Sequence, residues 1–356
     1  MTYTVASFFT GAMGLDLGFI EEGADIVLTQ ELDPHAVTTI RANGHDVIPG
    51  DLNDVRDSII SSCPPDLFAV IGGPPCQSFS MAGKRRGTGD PRGELAGTYL
   101  DTAVAMKPRF IVMENVAGML SMKSGETPVI DLVHGTLNSA GYTSIHGVLN
   151  AADYGASQYR ERVVVIASRD GEALFLPQPT HFRTHQDPNM RWRTLGDVLD
   201  GVPDSPVAKM TPKAAKYLPF IPEGGNWRDL PDDMVADAMG GAMTSGGGRT
   251  GFYRRLDRRV PSPTLVTSPT QKSTMLIHPT ADRPLSVPEY MAIQGFPPDW
   301  TVTGPLAAQY RQIGNAVPVP LARAVARTLM STAADDHTVP TKRSGHPLVV
   351  QPSRRG

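Results

Sequence analysis

Runs of apolar residues bounded by turn formers recur through the first half of the chain. They occur at Val5-Ala6-Ser7-Phe8-Phe9, Leu67-Phe68-Ala69-Val70-Ile71, Phe110-Ile111-Val112-Met113 and Val163-Val164-Val165-Ile166-Ala167. Short continuous runs without helical periodicity predict strands buried on both faces, as in a parallel sheet. A further strand is expected over Asp25-Ile26-Val27-Leu28-Thr29-Gln30. Helical segments lie between: one after the tight turn Thr10-Gly11-Ala12-Met13-Gly14, one containing Tyr99 to Met106, and one on Ile130, Val133 and Leu137 with Pro128 at its start. This alternation predicts an α/β fold with a mostly parallel, Rossmann-like sheet and flanking helices.

Beyond Arg169 the alternation stops. From about 171 to 270 the chain turns to Pro, Gly and polar stretches such as Ile221-Pro222-Glu223-Gly224-Gly225-Asn226-Trp227, which predict a smaller loop-rich domain. Helices resume at Ser286-Val287-Pro288-Glu289, running into Gln294-Gly295-Phe296-Pro297, and over 319 to 330. Residues 332 to 356, rich in Pro, Arg and Ser, read as a disordered tail.

Composition adds exclusions. The 356 residues are 40% hydrophobic and 19% charged, with a net charge of −3. No apolar stretch has the length of a membrane span and the N-terminus lacks a signal peptide's basic start, so a cytoplasmic protein is expected. With two cysteines, Cys63 and Cys76, neither a disulfide framework nor a thiolate zinc site is expected. His181 and His185 share an i, i+4 spacing but lie in a Pro-bounded loop without an intervening Glu, and read as a solvated loop. Two basic clusters interrupt the mild acidity: Lys84, Arg85, Arg86 with Arg92, and Arg249, Arg254, Arg255, Arg258 and Arg259. Such clusters can contact phosphates, although a charge run is more often a solvated face.

The candidate chemistry centres on Gly72-Gly73-Pro74-Pro75-Cys76-Gln77-Ser78-Phe79-Ser80, which follows an apolar strand. Ligands of open α/β sheets sit at the C-terminal ends of strands, and two prolines ahead of Cys76 fix the direction of its thiol. This points to a nucleophile rather than a core cysteine. Glu114 leaves the strand 110 to 113, where partial desolvation favours a protonated, donating carboxyl. Arg160 and Arg162, in Gln158-Tyr159-Arg160-Glu161-Arg162, share one side of an extended segment and can bind an anion or orient a carboxylate. Glycines at 11, 14 and 18 miss the dinucleotide register, so no pyrophosphate cradle is indicated. Glu31 and Asp51, at successive strand ends, suggest an adenosine-containing ligand without a pyrophosphate; each taken singly reads equally well as a turn residue or helix cap.

Taken together, the motifs FFTGAMGLDLGF, GGPPCQSFS, DPRGEL, ENV, QYRER and YRQIGNAVP, in this order, resemble the DNA cytosine-5 methyltransferase family over roughly the first 168 residues and the last 80 of the folded part. The resemblance implies a class I methyltransferase fold and transfer of a methyl group from S-adenosylmethionine to C5 of a flipped-out cytosine in a specific duplex DNA sequence, without a metal. It implies Cys76 as nucleophile, Glu114 as the acid at cytosine N3, Arg162 orienting the base with Glu114, and Arg160 beside the substrate. The cofactor would meet Phe9, Gly11, Leu15, Glu31, Asp51, Pro74 and Asn315. DNA contacts are expected from Gln77, Ser78, Lys84, Arg85, Arg86, Arg92, Gln158, Arg254 and Arg255. The organisation expected is a catalytic domain over 1–185, a target-recognition domain and hinge over 186–303, and a segment 304–331 returning to the catalytic domain before the tail 332–356. A monomer acting alongside a separate restriction endonuclease is the implied setting. Met13, Ser157 and Ala292 stand where the family commonly has Gly, Pro and Arg.

Three other readings are weaker. The same chemistry on tRNA would suit a shorter recognition region. A non-catalytic DNA-binding repressor would not need Cys76, Glu114 and Arg162 together. A nicotinamide oxidoreductase lacks its glycine fingerprint here.

Overall fold

The computed structural model describes residues 2–75, 91–243 and 250–335, without the side chains of 91–94 and 335. By contacts the chain divides into two units: residues 1–150, 161–179 and 321–356 form one, and 151–160 with 180–320 form the other. Residues 304–320 thus group with the second unit and the C-terminal helix from Leu321 with the first.

The first unit carries a seven-stranded sheet of β1 (Tyr3–Phe8), β2 (Ala24–Glu31), β3 (Ile48–Pro49), β4 (Ala69–Gly72), β5 (Phe110–Val116), β6 (Thr143–Asn150) and β7 (Glu161–Ser168). Its order is β3-β2-β1-β4-β5-β7-β6. All neighbours are parallel except β7, which runs antiparallel to both β5 and β6. The strands expected from sequence are present, and β6 is an addition. Its pattern is mostly half-exposed and interrupted by His146 and Gly147, so no apolar run announces it.

Strand order reverses between β1 and β4, the switch point at which open α/β sheets bind ligands. Register then decides which residues meet there. Phe8 pairs with Gln30 on one side and with Gly72 on the other, and Gly72 pairs with Met113. The next residue of each strand or turn, namely Phe9, Glu31, Gly73 and Glu114, therefore stands along one edge.

Helices α1 (Gly14–Glu21), α2 (Pro34–Ala42), α3 (Leu52–Ser62), α4 (Pro91–Met106) and α5 (Val129–Ser139) flank the sheet. Tyr99 of α4 is fully buried and donates its hydroxyl to Val112 O at 2.6 Å. A Cβ at Gly72 would come within 2.7 Å of that Tyr99 ring, so β4 can lie flat on α4 only with glycine there. Close approach also fixes the C-terminal helix. A Cβ at Gly18 would meet Arg323 N at 2.3 Å, and Arg323 and Arg327 pair with Glu21 and Glu22 of α1 at 3.2 and 2.6 Å.

The second unit has little regular structure. It contains α6 (Pro212–Tyr217), α7 (Asp232–Met239), α8 (Val287–Gln294) and α9 (Leu306–Asn315), joined by 3-10 turns and isolated bridges. The last helix, α10 (Val319–Asp335), leads back to the first unit. A core of Tyr217, Leu218, Ile221, Tyr253 and Ile277 nevertheless forms, with the Tyr217 and Tyr253 rings edge to face at 5.8 Å. Helix α8 starts in a full capping box, Ser286 with Glu289, and ends at Gly295 with φ +79°.

Candidate active site

Cys76, Gln77, Ser78, Lys84, Arg85 and Arg86 lie outside the described residues, as does the side chain of Arg92. The turn that leads to Cys76 is described. Asn115 donates its side-chain amide to Pro74 O at 3.0 Å, which pins the first proline of the pair from β5. Asn115 is buried and was not singled out by sequence reasoning beyond its place in the ENV motif. Glu114, one residue earlier, receives Arg162 Nε on Oε1 at 2.7 Å, with both side chains only 12% exposed. The pairing follows from register: β5 and β7 are antiparallel, with Glu114 opposite Val164 and Val116 opposite Arg162. Its other carboxylate oxygen, Oε2, would lie 3.1 Å from a Cβ at Gly73, so the backbone of the cysteine loop passes directly beside the acid. A guanidinium-oriented carboxyl group is thereby fixed next to the turn Gly73-Pro74-Pro75. Cys63, the other thiol, is half-buried, donates to Pro64 O at 3.3 Å, and is pushed up in pKa by burial, which disfavours a thiolate.

Glu31, at the end of β2, gathers the loop after β1. Its Oε2 accepts Gly11 N at 2.7 Å, and its Oε1 accepts Leu32 N and Asp33 N at 2.8 and 2.7 Å. Burial raises its pKa, while these three N–H donors act in the opposite direction. Gly11 has φ +56°, and the nearest atom to a Cβ there is Phe9 O at 4.0 Å, which leaves open space over the loop. Phe9 and Met13 are also left-handed, at φ +54° and +68°. Leu15 is buried in the first turn of α1. Asp51 caps α3 by accepting Asn53 N at 2.9 Å, so the helix-cap reading applies to its Oδ1. An acid held by amides beside an open glycine turn, with no dinucleotide loop, fits the adenosine end of S-adenosylmethionine. Below the loop, Asp16 is fully buried without a well-formed hydrogen bond to either oxygen among the described residues. Burial pushes its pKa up to about 7, against the Ser7 hydroxyl and its own backbone N–H, with Glu31 adding to the rise.

In the second unit, several expected contact residues are turned inward. Gln158 is fully buried: its amide donates to Gln294 Oε1 at 2.9 Å and its carbonyl accepts Leu265 N at 2.9 Å. Gln294 in turn donates to Ile313 O and Ala316 O at 2.7 and 3.1 Å. Arg160, 1% exposed, donates to Leu265 O at 3.3 Å and to Asn315 O at 3.2 Å. Arg162 lies within β7, whereas Arg160 precedes the strand. Arg255 is 5% exposed and donates to Ile221 O, Leu218 O, His278 O and Ala281 O as well as to Asp282. Its guanidinium is engaged inside the unit, contrary to the expectation of a phosphate contact. Arg254 donates Nε to Met275 O at 3.2 Å, and burial lowers its pKa. The side chain of Asn315 is exposed at the end of α9.

The sheet order is that of the class I methyltransferase fold. The model of the C-5 cytosine-specific DNA methylase family matches residues 3–331, and the chain belongs to that family. It is 38% identical over 337 residues to the type II methyltransferase M.Eco47II of Escherichia coli, covering 92% of this chain and 79% of that protein. It is 37% identical over 330 residues to the type II methyltransferase M.Sau96I of Staphylococcus aureus, covering 92% and 76%. Among solved structures, a prophage-encoded DNA modification methyltransferase (E. coli) shares the fold with TM-score 0.67 and 23% identity, covering 94% of this chain and all of that one. The S. pombe Dnmt2 methyltransferase shares it with TM-score 0.62 and 15% identity, covering 95% and 99%. No helix among the described residues is long and apolar enough to cross a membrane.

Proposed function

We propose that this DNA cytosine-5 methyltransferase works through a covalent bond between Cys76 and C6 of a cytosine flipped out of a specific duplex sequence. The observation that carries this reading is the Arg162-held Glu114 beside the backbone of the cysteine loop. Thiolate addition at C6 moves electron density through the ring; Glu114 delivers a proton to N3, and C5 becomes nucleophilic. Arg162 fixes the direction of the Glu114 carboxyl, and Asn115 holds Pro74, two residues ahead of Cys76 in the chain. When bound, S-adenosylmethionine supplies the electrophilic methyl group; Glu31, Gly11, Phe9 and Leu15 would hold its adenosine end, with Asp51, Pro74 and Asn315 as further contacts. Loss of the C5 proton then restores the C5–C6 double bond and releases the Cys76 thiolate. Neither ring carbon is reachable inside stacked DNA, so flipping is required, at about a few kcal/mol. Gln77, Ser78, Lys84, Arg85, Arg86 and Arg92 would close over the extruded nucleotide. The type II names of the relatives support a role as the modification half of a restriction–modification pair; the reading further takes the protein as a cytoplasmic monomer with sequence choice encoded in residues 186–303.

A duplex with 5-fluorocytosine at the target tests the covalent step. Fluorine does not leave C5 as a cation, so enzyme and DNA should stay joined through sulfur after methyl transfer. Denaturing electrophoresis should show a cofactor-dependent shifted band with the native protein and none with Cys76→Ser. A band that persists in the variant, with the adduct mapped to Cys63, would overturn the assignment.

A further inference from the structure

Of the second basic cluster in the sequence, Arg249 lies outside the described residues, and the other four arginines are engaged within the fold. Arg255 is buried with Asp282, Arg258 pairs with Asp200 at 2.6 Å, Arg259 with Asp257 at 2.8 Å, and Arg254 is directed to a carbonyl. The opposite holds for the loop 180–193, where sequence reasoning read His181 and His185 as a solvated loop and began the target-recognition domain at 186. Arg183, Arg191 and Arg193 are exposed there and form no ion pair among the described residues. We propose that this loop is a phosphate-backbone contact for duplex DNA, with Arg183 and Arg193 as its principal cations. The proposal rests on the DNA-methylase reading.

The loop is built rather than slack. Thr180 N and His181 N both donate to Asp153 O at 2.9 Å, and the Trp192 indole donates to Asp153 Oδ1 at 2.8 Å. Phe182 and Trp192 link its two limbs through Phe182 N to Met190 O at 2.7 Å and Trp192 N to Phe182 O at 2.9 Å. Arg191 Nε donates to His185 O at 2.7 Å, and Asp187 caps the turn Pro188–Met190 by accepting Asn189 N at 2.9 Å. Asp187, the one acid of the loop, is thereby engaged in its own turn. A braced loop loses less conformational entropy when its arginines meet a ligand. Trp192 also packs edge-on against Tyr159 at 5.2 Å, which joins the loop to the Gln-Tyr-Arg-Glu-Arg motif.

Charge distribution favours the same ligand. Residues 180–193 carry three arginines and one aspartate, whereas 194–243 carry eight acidic side chains against four basic ones. A polyanion is drawn to the first and repelled by the second. The loop offers a three-residue turn and no long helix or ribbon with which to enter a major groove, so contact with phosphates rather than base edges is the fit.

Fluorescence anisotropy on two duplexes of unrelated sequence, across a salt series, separates the possibilities. Arg183→Gln combined with Arg193→Gln should weaken binding to both duplexes about tenfold and flatten the plot of log affinity against log salt by about 1.8, or about 0.9 per phosphate lost. Arg183→Lys with Arg193→Lys should keep the native slope, which guards against misfolding as the cause. Arg258→Gln with Arg259→Gln should stay within about twofold of native. The proposal is overturned by an unchanged slope in the first variant, by a loss confined to one duplex, or by an equal loss at 258 and 259. Native protein that binds neither duplex would instead contradict the underlying reading.

Discussion

In the sheet-bearing unit, the backbone groups of β1, β4 and β5 pair with one another, so each strand can be written almost entirely in apolar side chains. In the second unit the same obligation falls on buried polar side chains. Arg255 reaches four carbonyls, Gln294 two, and Arg160 a further two. A buried carbonyl needs a donor in either case. Where no ladder supplies one, a long polar residue does, and in the sequence it looks like a surface or DNA-contact residue.

Arg255 is where this contrast can be broken hardest. Arg255→Met should destabilise the second unit by about 3–5 kcal/mol, because several buried carbonyls lose their donor at once. All three tryptophans, Trp192, Trp227 and Trp300, belong to that unit, so denaturation followed by tryptophan fluorescence reads it selectively. A midpoint equal to the native one would show that Arg255 faces a partner outside the fold.

Among the described residues of the first unit, Asp16 is fully buried with neither carboxylate oxygen in a well-formed hydrogen bond, and its signature should be pH. The ordinary aspartate value of 3.8 rises to about 7 in the folded chain. Between those values the unfolded chain gives up the proton while the folded chain keeps it, so stability is full below about 4, falls as pH rises, and levels off above about 7. The total loss should approach about 4 kcal/mol. Asp16→Asn should remove that slope in hydrogen-exchange measurements on β1 and β2. A native protein whose first unit grows more stable across this window, relative to the variant, would contradict the assignment.

A smaller effect separates side-chain burial from backbone strain within the turn between β1 and α1. Met13 is fully buried at φ +68°, where a left-handed conformation costs a non-glycine residue about 1–2 kcal/mol. Its buried side chain contributes more, about 2–5 kcal/mol. Met13→Gly should therefore destabilise by about 1–3 kcal/mol in spite of relieving the strain. Met13→Ala keeps the strain and loses the packing, so it should be less stable than Met13→Gly by about 1 kcal/mol. The reverse order in thermal denaturation would show that the loop carries no strain.

The same contrast explains what could be read in advance. Strands β1, β2, β4, β5 and β7 and the Glu114 edge were legible because apolar runs and strand ends are local signals. Strand β6 was not, since a half-exposed edge strand with His146 and Gly147 lacks a run. The fates of Gln158 and Arg160 depend on segments more than a hundred residues away, such as Leu265 and Asn315 for Arg160, and that of Arg255 on segments 23 to 37 residues away. Spacing within a motif carries no record of such partners. Asn115 was quoted as part of a motif, yet its hold on Pro74 became visible only once β4 and β5 were placed side by side.

Bisulfite sequencing of DNA from cells that express the chain tests the central claim most directly. The account requires C5-methylated cytosine at one short recurring duplex sequence in cells with the native protein, and none at that sequence with Cys76→Ser or Glu114→Gln. DNA that remains unmethylated with the native protein, or methylation that persists in Cys76→Ser, would contradict it.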